Sequence, residues 1–153
     1  MSAAALGANN KYSSWFQTNY DEINKLGLMP ESFNGLDLTK NITRGEMCEL
    51  AVYAFEKATG NDIDMSNETF SGFTDTSDQN IIKAHLYGIV NGYEDGSFRP
   101  EASVTRAEFS KMINSAVGIS KAADISFRDV ETNAWYYKEV RKAVYAGYTN
   151  GYE

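Results

Sequence analysis

A chain of 153 residues, 42% apolar and 23% charged, is long enough to bury one core and is not disordered in composition. Its net charge of −7 argues against nucleic acid and anionic membrane surfaces as partners. A single cysteine, Cys48, excludes an intramolecular disulfide, and His85 has no second His or Cys to complete a zinc site, so neither metal nor cofactor is expected.

In chain order, residues 1–11 read as a small-residue tail without the basic start and apolar core of a signal peptide. A first helix is expected from Trp15 to Leu26, with Trp15, Phe16, Tyr20 and Ile23 on its apolar side, ended by Gly27-Leu-Met-Pro30. Residues 31–41 form a loop. Thr43 then caps a helix to about Thr59, and Glu46, three residues on, closes a capping box. Met47, Leu50, Ala51, Ala54 and Phe55 make its apolar stripe, Cys48 reads as a small core residue among them, and Gly60 ends it. Residues 61–72 read as a polar linker; their Asp62, Asp64, Asn67 and Glu68 lack the glycine and register of a calcium loop. A short helix follows from Asp78 to about Tyr87, with Ile81 and Ala84 inward and His85 at its edge.

The stretch from Gly88 to Glu108 organises the rest. Gly92 and Gly96 bracket a turn, Pro100 blocks helix, and Thr105 with Glu108 forms a second capping box. The helix behind it offers Phe109, Met112, Ile113, Ala116 and Val117 as a stripe and stops at Gly118. After a linker at 119–126, Ala134 to Ala146 reads as a helix with Trp135, Val140, Ala143 and Val144 toward the core. No apolar run is long enough to span a membrane.

These elements repeat. Thr43-Arg-Gly-Glu46 matches Thr105-Arg-Ala-Glu108, and Gly147-Tyr-Thr-Asn-Gly-Tyr-Glu153 matches Gly88-Ile-Val-Asn-Gly-Tyr-Glu94 at a shift of 59 residues. Phe73-Thr-Asp75 and Phe127-Arg-Asp129 open two units, and Trp15 and Trp135 each precede a helix-ending glycine by twelve residues. Self-similarity at this period signals a repeat architecture in which units bury their apolar faces against one another. The motifs F-x-D, G-I-x-x-G-Y-x-D-G-x-F-x-P and T-R-A-E resemble the S-layer homology (SLH) domain of bacterial cell-surface proteins. The resemblance divides the chain into a tail (1–11), repeat 1 (12–60), linker (61–72), repeat 2 (73–118), linker (119–126) and a partial repeat 3 (127–153).

It implies a mostly α fold, a pseudo-threefold array of helical repeats with long turns whose third repeat is truncated. That truncation leads to the expectation of a marginal, partly open assembly, or one completed by another chain. It also implies a non-catalytic anchoring module, located at the bacterial cell surface, that binds anionic, pyruvylated secondary cell-wall polysaccharide. The alternative is a self-assembly module of a surface layer. By physics alone Arg44 and Arg106, cations at helix starts where the dipole opposes them, either bind a carboxylate or pair with a nearby Asp or Glu. The resemblance makes them ligand contacts and leaves Thr43, Glu46, Thr105 and Glu108 as caps. Gly92, Tyr93, Gly151 and Tyr152 are the turn residues expected near sugar. Trp15 and Trp135 are read as groove walls or core residues, both readings standing.

Overall fold

The computed structural model describes residues 11–151. Residues 1–10 of the tail expected at 1–11, and Tyr152 with Glu153, lie outside the described residues. Five α-helices are present among them: α1 (Gln17–Lys25), α2 (Arg44–Thr59), α3 (Gln79–Leu86), α4 (Arg106–Ala116) and α5 (Tyr137–Ala146). No sheet joins them; within the described residues β pairing is limited to isolated bridges such as antiparallel Thr43–Ser103. The fold is mostly α.

The helix starts follow from side-chain chemistry. Thr43 accepts from the Glu46 backbone N–H at 3.2 Å while Glu46 Oε2 accepts from the Thr43 N–H at 2.8 Å. Thr105 and Glu108 repeat this on α4. The carboxylate of Asp78 caps α3 by accepting from Asn80 and Ile81 N–H. Two N–H groups left orphaned by each helix start are thereby satisfied. Gly60 and Gly147 close α2 and α5 in the left-handed conformation.

Helix α2 packs on α3 and on α4, and α4 packs on α5. The second helix of one repeat thus lies against the first helix of the next. The core collects Met47, Cys48, Ala51 and Val52 from α2, Ile81 and Ala84 from α3, and Met112 and Ala116 from α4. Phe98, from the loop ahead of α4, is completely buried among them. Cys48 takes its expected place in this core, and burial pushes its thiol pKa up to about 12.

Several expectations need correction. Trp15 stands in a 3-10 turn, Ser14–Phe16, ahead of α1 and is 77% exposed; of the predicted apolar side only Tyr20 is buried. Val117 is half exposed, and α4 instead buries Ser110 and Asn114 because α5 crosses that side. There the Asn114 amide donates to the Glu139 carbonyl and carboxylate at 2.9 and 2.8 Å, and Tyr148 donates to Asn114 Oδ1. Trp135 precedes α5 and is 60% exposed, so it is not a core residue. The stretch at 61–72 is polar in composition, yet Ile63 enters the core and its N–H is held by Glu56 Oε1, which also pairs with Lys83.

Candidate functional site

Arg44 is the hub between the first two repeats. Its side chain leaves the first turn of α2, is 91% buried, and spends its donors on the second repeat. Nε donates to the Phe98 carbonyl at 3.1 Å, Nη2 to the Asn91 carbonyl at 3.2 Å, and Nη1 to Glu108 Oε1 at 3.3 Å. The guanidinium also lies over the rings of Phe98 and Tyr93, 4.5 and 5.1 Å from their centroids. Of the two physical readings of this arginine, pairing with an acidic neighbour is what the geometry displays. The first N–H groups of α2 are likewise engaged: Arg44 N donates to the Ala102 carbonyl and Gly45 N to the Pro100 carbonyl.

The turn that meets Arg44 is built by the F-x-D motif. The ring of Phe73 lies on the face of Gly92 where a side chain would stand. Asp75 accepts from the N–H groups of Phe98 and Arg99 at 2.8 and 2.7 Å. The Phe98 N–H foremost holds the Asp75 carboxyl below the ordinary carboxylate range. Arg99, held there at a φ of 59°, stacks 4.0 Å from the Tyr93 centroid and pairs with Asp95. Tyr93 is therefore flanked by two guanidinium groups.

Arg44, Gly92, Tyr93, Glu108 and Trp135 share one groove of about 260 Å³, together with Lys111. Lys111 Nζ stands 6.0 Å from the centre of the Trp135 ring. Sequence reasoning missed Lys111; its place three residues after Glu108, on the same helix face, was the available signal. Arg106 lies apart, in a groove of about 840 Å³ that also includes Phe127, Arg128, Asp129, Tyr136 and Gly151. There its Nη2 donates to the Asn150 carbonyl at 3.3 Å, as that of Arg44 does to Asn91, and to Thr149 Oγ1 at 3.1 Å. The structure thus brings Arg44, Gly92, Tyr93 and Trp135 together, and Arg106 with Gly151. Trp15 joins neither groove and packs edge-on to Phe16.

The two grooves are alike in charge: each sets two cations, Arg44 and Lys111 or Arg106 and Arg128, against one carboxylate. An arginine-started helix, an F-x-D motif seated on a glycine turn, and a cationic groove between units define a repeat module built on helix pairs. The sequence model of the S-layer homology domain matches residues 73–110 and 126–153. The chain belongs to the S-layer homology family. It is 30% identical over 142 residues to a cellulosome-anchoring protein of Acetivibrio thermocellus, an overlap of 89% of this chain and 31% of that protein. It is 30% identical over 81 residues to the surface-layer 125 kDa protein of Lysinibacillus sphaericus, covering 53% of this chain and 7% of that protein. An exoglucanase of Acetivibrio thermocellus is 33% identical over 85 residues, 54% of this chain and 8% of the enzyme. The chain spans less than a third of the length of each of these relatives.

Proposed function

We propose that this chain is a non-catalytic module that anchors an attached protein to the bacterial cell surface by binding an anionic secondary cell-wall polysaccharide. The observation that carries this reading is the charge of the grooves: each has an excess of one cation, on a chain whose net charge is −7. An anionic sugar is drawn to those places and repelled elsewhere. The Arg44 groove adds Trp135, an exposed aromatic face for a sugar ring, and the Lys111 ammonium, a point charge for a carboxylate such as a pyruvyl ketal. Arg44 there positions the Asn91–Tyr93 turn and adds its positive field, with Tyr93 38% exposed at the rim. The relatives support the anchoring role: similar stretches occur in proteins described as cellulosome-anchoring, surface-layer and exoglucanase, in each as a minor share of the length. A module that rides on such different proteins acts at the surface, outside the cell, and leaves chemistry to its passenger. Glu46 and Glu108 are consistent with this, since both carboxylates are engaged in capping boxes.

The test is co-sedimentation with purified cell-wall sacculi before and after the secondary polysaccharide is stripped. Pelleting is expected with intact sacculi, lost after stripping, and lost in a Lys111→Ala, Trp135→Ala variant of unchanged helical content. Undiminished pelleting on stripped sacculi would overturn the glycan reading.

A further inference from the structure

Asn91-Gly92, in the turn that meets Arg44, is an asparagine followed by a residue without a side chain. Such a pair is open to attack on its own amide, because nothing on the glycine hinders its nitrogen from closing a five-membered imide on the asparagine Cγ. Asn91 is exposed, so water reaches it. Among the described residues its side-chain amide makes no hydrogen bond, and the Gly92 N–H, the nucleophile, donates to no acceptor. The reactants are in place and unoccupied.

What the turn lacks is freedom to move. To bring the Gly92 nitrogen to Asn91 Cγ, the chain must rotate about the Asn91 Cα–C bond. The peptide unit beyond that bond is planar, so the Asn91 carbonyl, the Gly92 nitrogen and the Gly92 Cα swing together. Arg44 holds one side of this unit, its Nη2 donating to the Asn91 carbonyl at 3.2 Å. Arg44 cannot follow a swing, because its Nε and Nη1 are bound to the Phe98 carbonyl and to Glu108 and its side chain is buried. Phe73 and Ser97 hold the other side. A Cβ on Gly92 would stand 2.4 Å from Phe73 Cε1 and 2.9 Å from the Ser97 carbonyl oxygen, so ring and carbonyl together close that face of Gly92. The next peptide is tied as well, the Tyr93 N–H donating to the Ser97 carbonyl at 2.8 Å.

We propose that Asn91 is a latent modification site, kept from deamidating by the grip of Arg44 and Phe73 and reacting when that grip opens. In the reaction the Gly92 nitrogen bonds to Asn91 Cγ and gives its proton to water, and the Asn91 amide nitrogen leaves as ammonia. Water then opens the imide at one of its two carbonyls, giving aspartate or isoaspartate; water is the only co-reactant. Either product is a carboxylate. In a groove that sets Arg44 and Lys111 against Glu108, a second carboxylate cancels the excess of one cation. Isoaspartate also lengthens the backbone by one methylene, and a turn so lengthened no longer matches both the Arg44 and the Phe73 contacts. Asn91 thereby converts a transient opening of the turn into a permanent one, whatever the groove binds.

The test is incubation of the whole chain at mildly alkaline pH beside a synthetic peptide of residues 88–97, with no glycan present. Conversion is followed by mass spectrometry of digests, and isoaspartate is counted with an isoaspartyl methyltransferase. In the folded chain Asn91 is expected to convert at least about tenfold more slowly than in the peptide, because the reaction waits on local opening. Arg44→Lys and Phe73→Leu, compared at unchanged helical content, are each expected to speed it severalfold. Converted protein, purified and refolded, is expected to unfold at a lower urea concentration than the parent. Three results would overturn the proposal: conversion in the folded chain at the rate of the peptide, a rate unchanged in both variants, or an unfolding midpoint that conversion leaves unaltered.

Discussion

The ring of Phe73 occupies the space of the side chain that Gly92 lacks: a Cβ on Gly92 would stand 2.4 Å from Phe73 Cε1 and 2.9 Å from the Ser97 carbonyl oxygen. Glycine is required here by close approach of a ring, not by backbone angle. Gly92→Ala is expected to destabilise the fold by about 1–3 kcal/mol, the usual cost of overpacking. Combining it with Phe73→Ala should recover part of that loss, a coupling that urea unfolding of the double-mutant cycle measures. Gly151→Ala should behave alike toward Phe127, which is as close to it.

The two repeated arginines should separate in their effects on stability. Arg44→Ala strips a buried guanidinium from two carbonyls and Glu108, for an expected loss of about 2–3 kcal/mol. Arg106 lies exposed, so Arg106→Ala should cost less than about 1 kcal/mol. Equal denaturation midpoints for the two variants would contradict the assignment of Arg44 as the hub.

Acid should loosen the loop ahead of α4. The Asp75 carboxyl is held down, foremost by the Phe98 N–H, and that of Asp95 is held down to about 2, foremost by the Ser97 hydroxyl. A carboxylate whose folded pKa is depressed contributes stability above its unfolded pKa of about 4 and loses it as pH falls through the folded pKa. The contribution is thus complete near neutrality and, for Asp95, vanishes between about pH 4 and about 2. In Asp75→Asn and Asp95→Asn the decline of unfolding midpoint with acid should be shallower than in the parent protein. Parallel pH profiles would refute this.

Cys48 offers a probe of opening. Fully buried, and with its thiol pushed up to about 12, it presents almost no thiolate at pH 8. Reaction with Ellman's reagent should be slow in buffer, rapid in denaturant, and limited by opening of α2. Stoichiometric labelling within the mixing time under native conditions would count against the packing described.

Local signals were well legible in the sequence. Both capping boxes, the glycine closing α5, and the inward Met47, Ala51, Ile81, Ala84, Met112 and Ala116 could be read from spacing, because caps and helical stripes act within a few residues. The long-range determinants were less so. One stripe was read on α4, but the helix is covered on two sides, so Ser110 and Asn114 are buried while Val117 is not. Gly92 looked like a turn residue because nothing in its neighbourhood reveals a ring nineteen positions upstream. Arg44, Tyr93 and Trp135 could be nominated one by one, but their convergence on one groove, and the arrival of Lys111 there, depends on α4 and the approach to α5 meeting the loop of the second repeat.

The reach of Arg44 also governs how the chain must find its fold. Its side chain closes contacts at sequence separations of 47, 54 and 64 residues, so the first turn of α2 is completed only when the second repeat arrives. In an array of self-sufficient units each helix pair would form alone and spread its order to the next. Here the contacts that complete the first turn of α2 cross the boundary between units, and the entropy of closing those long loops is paid before the contacts reward it. Residues 42–117 are therefore expected to unfold as one cooperative unit, with the opening of α2 that exposes Cys48 coinciding with the loss of helical signal.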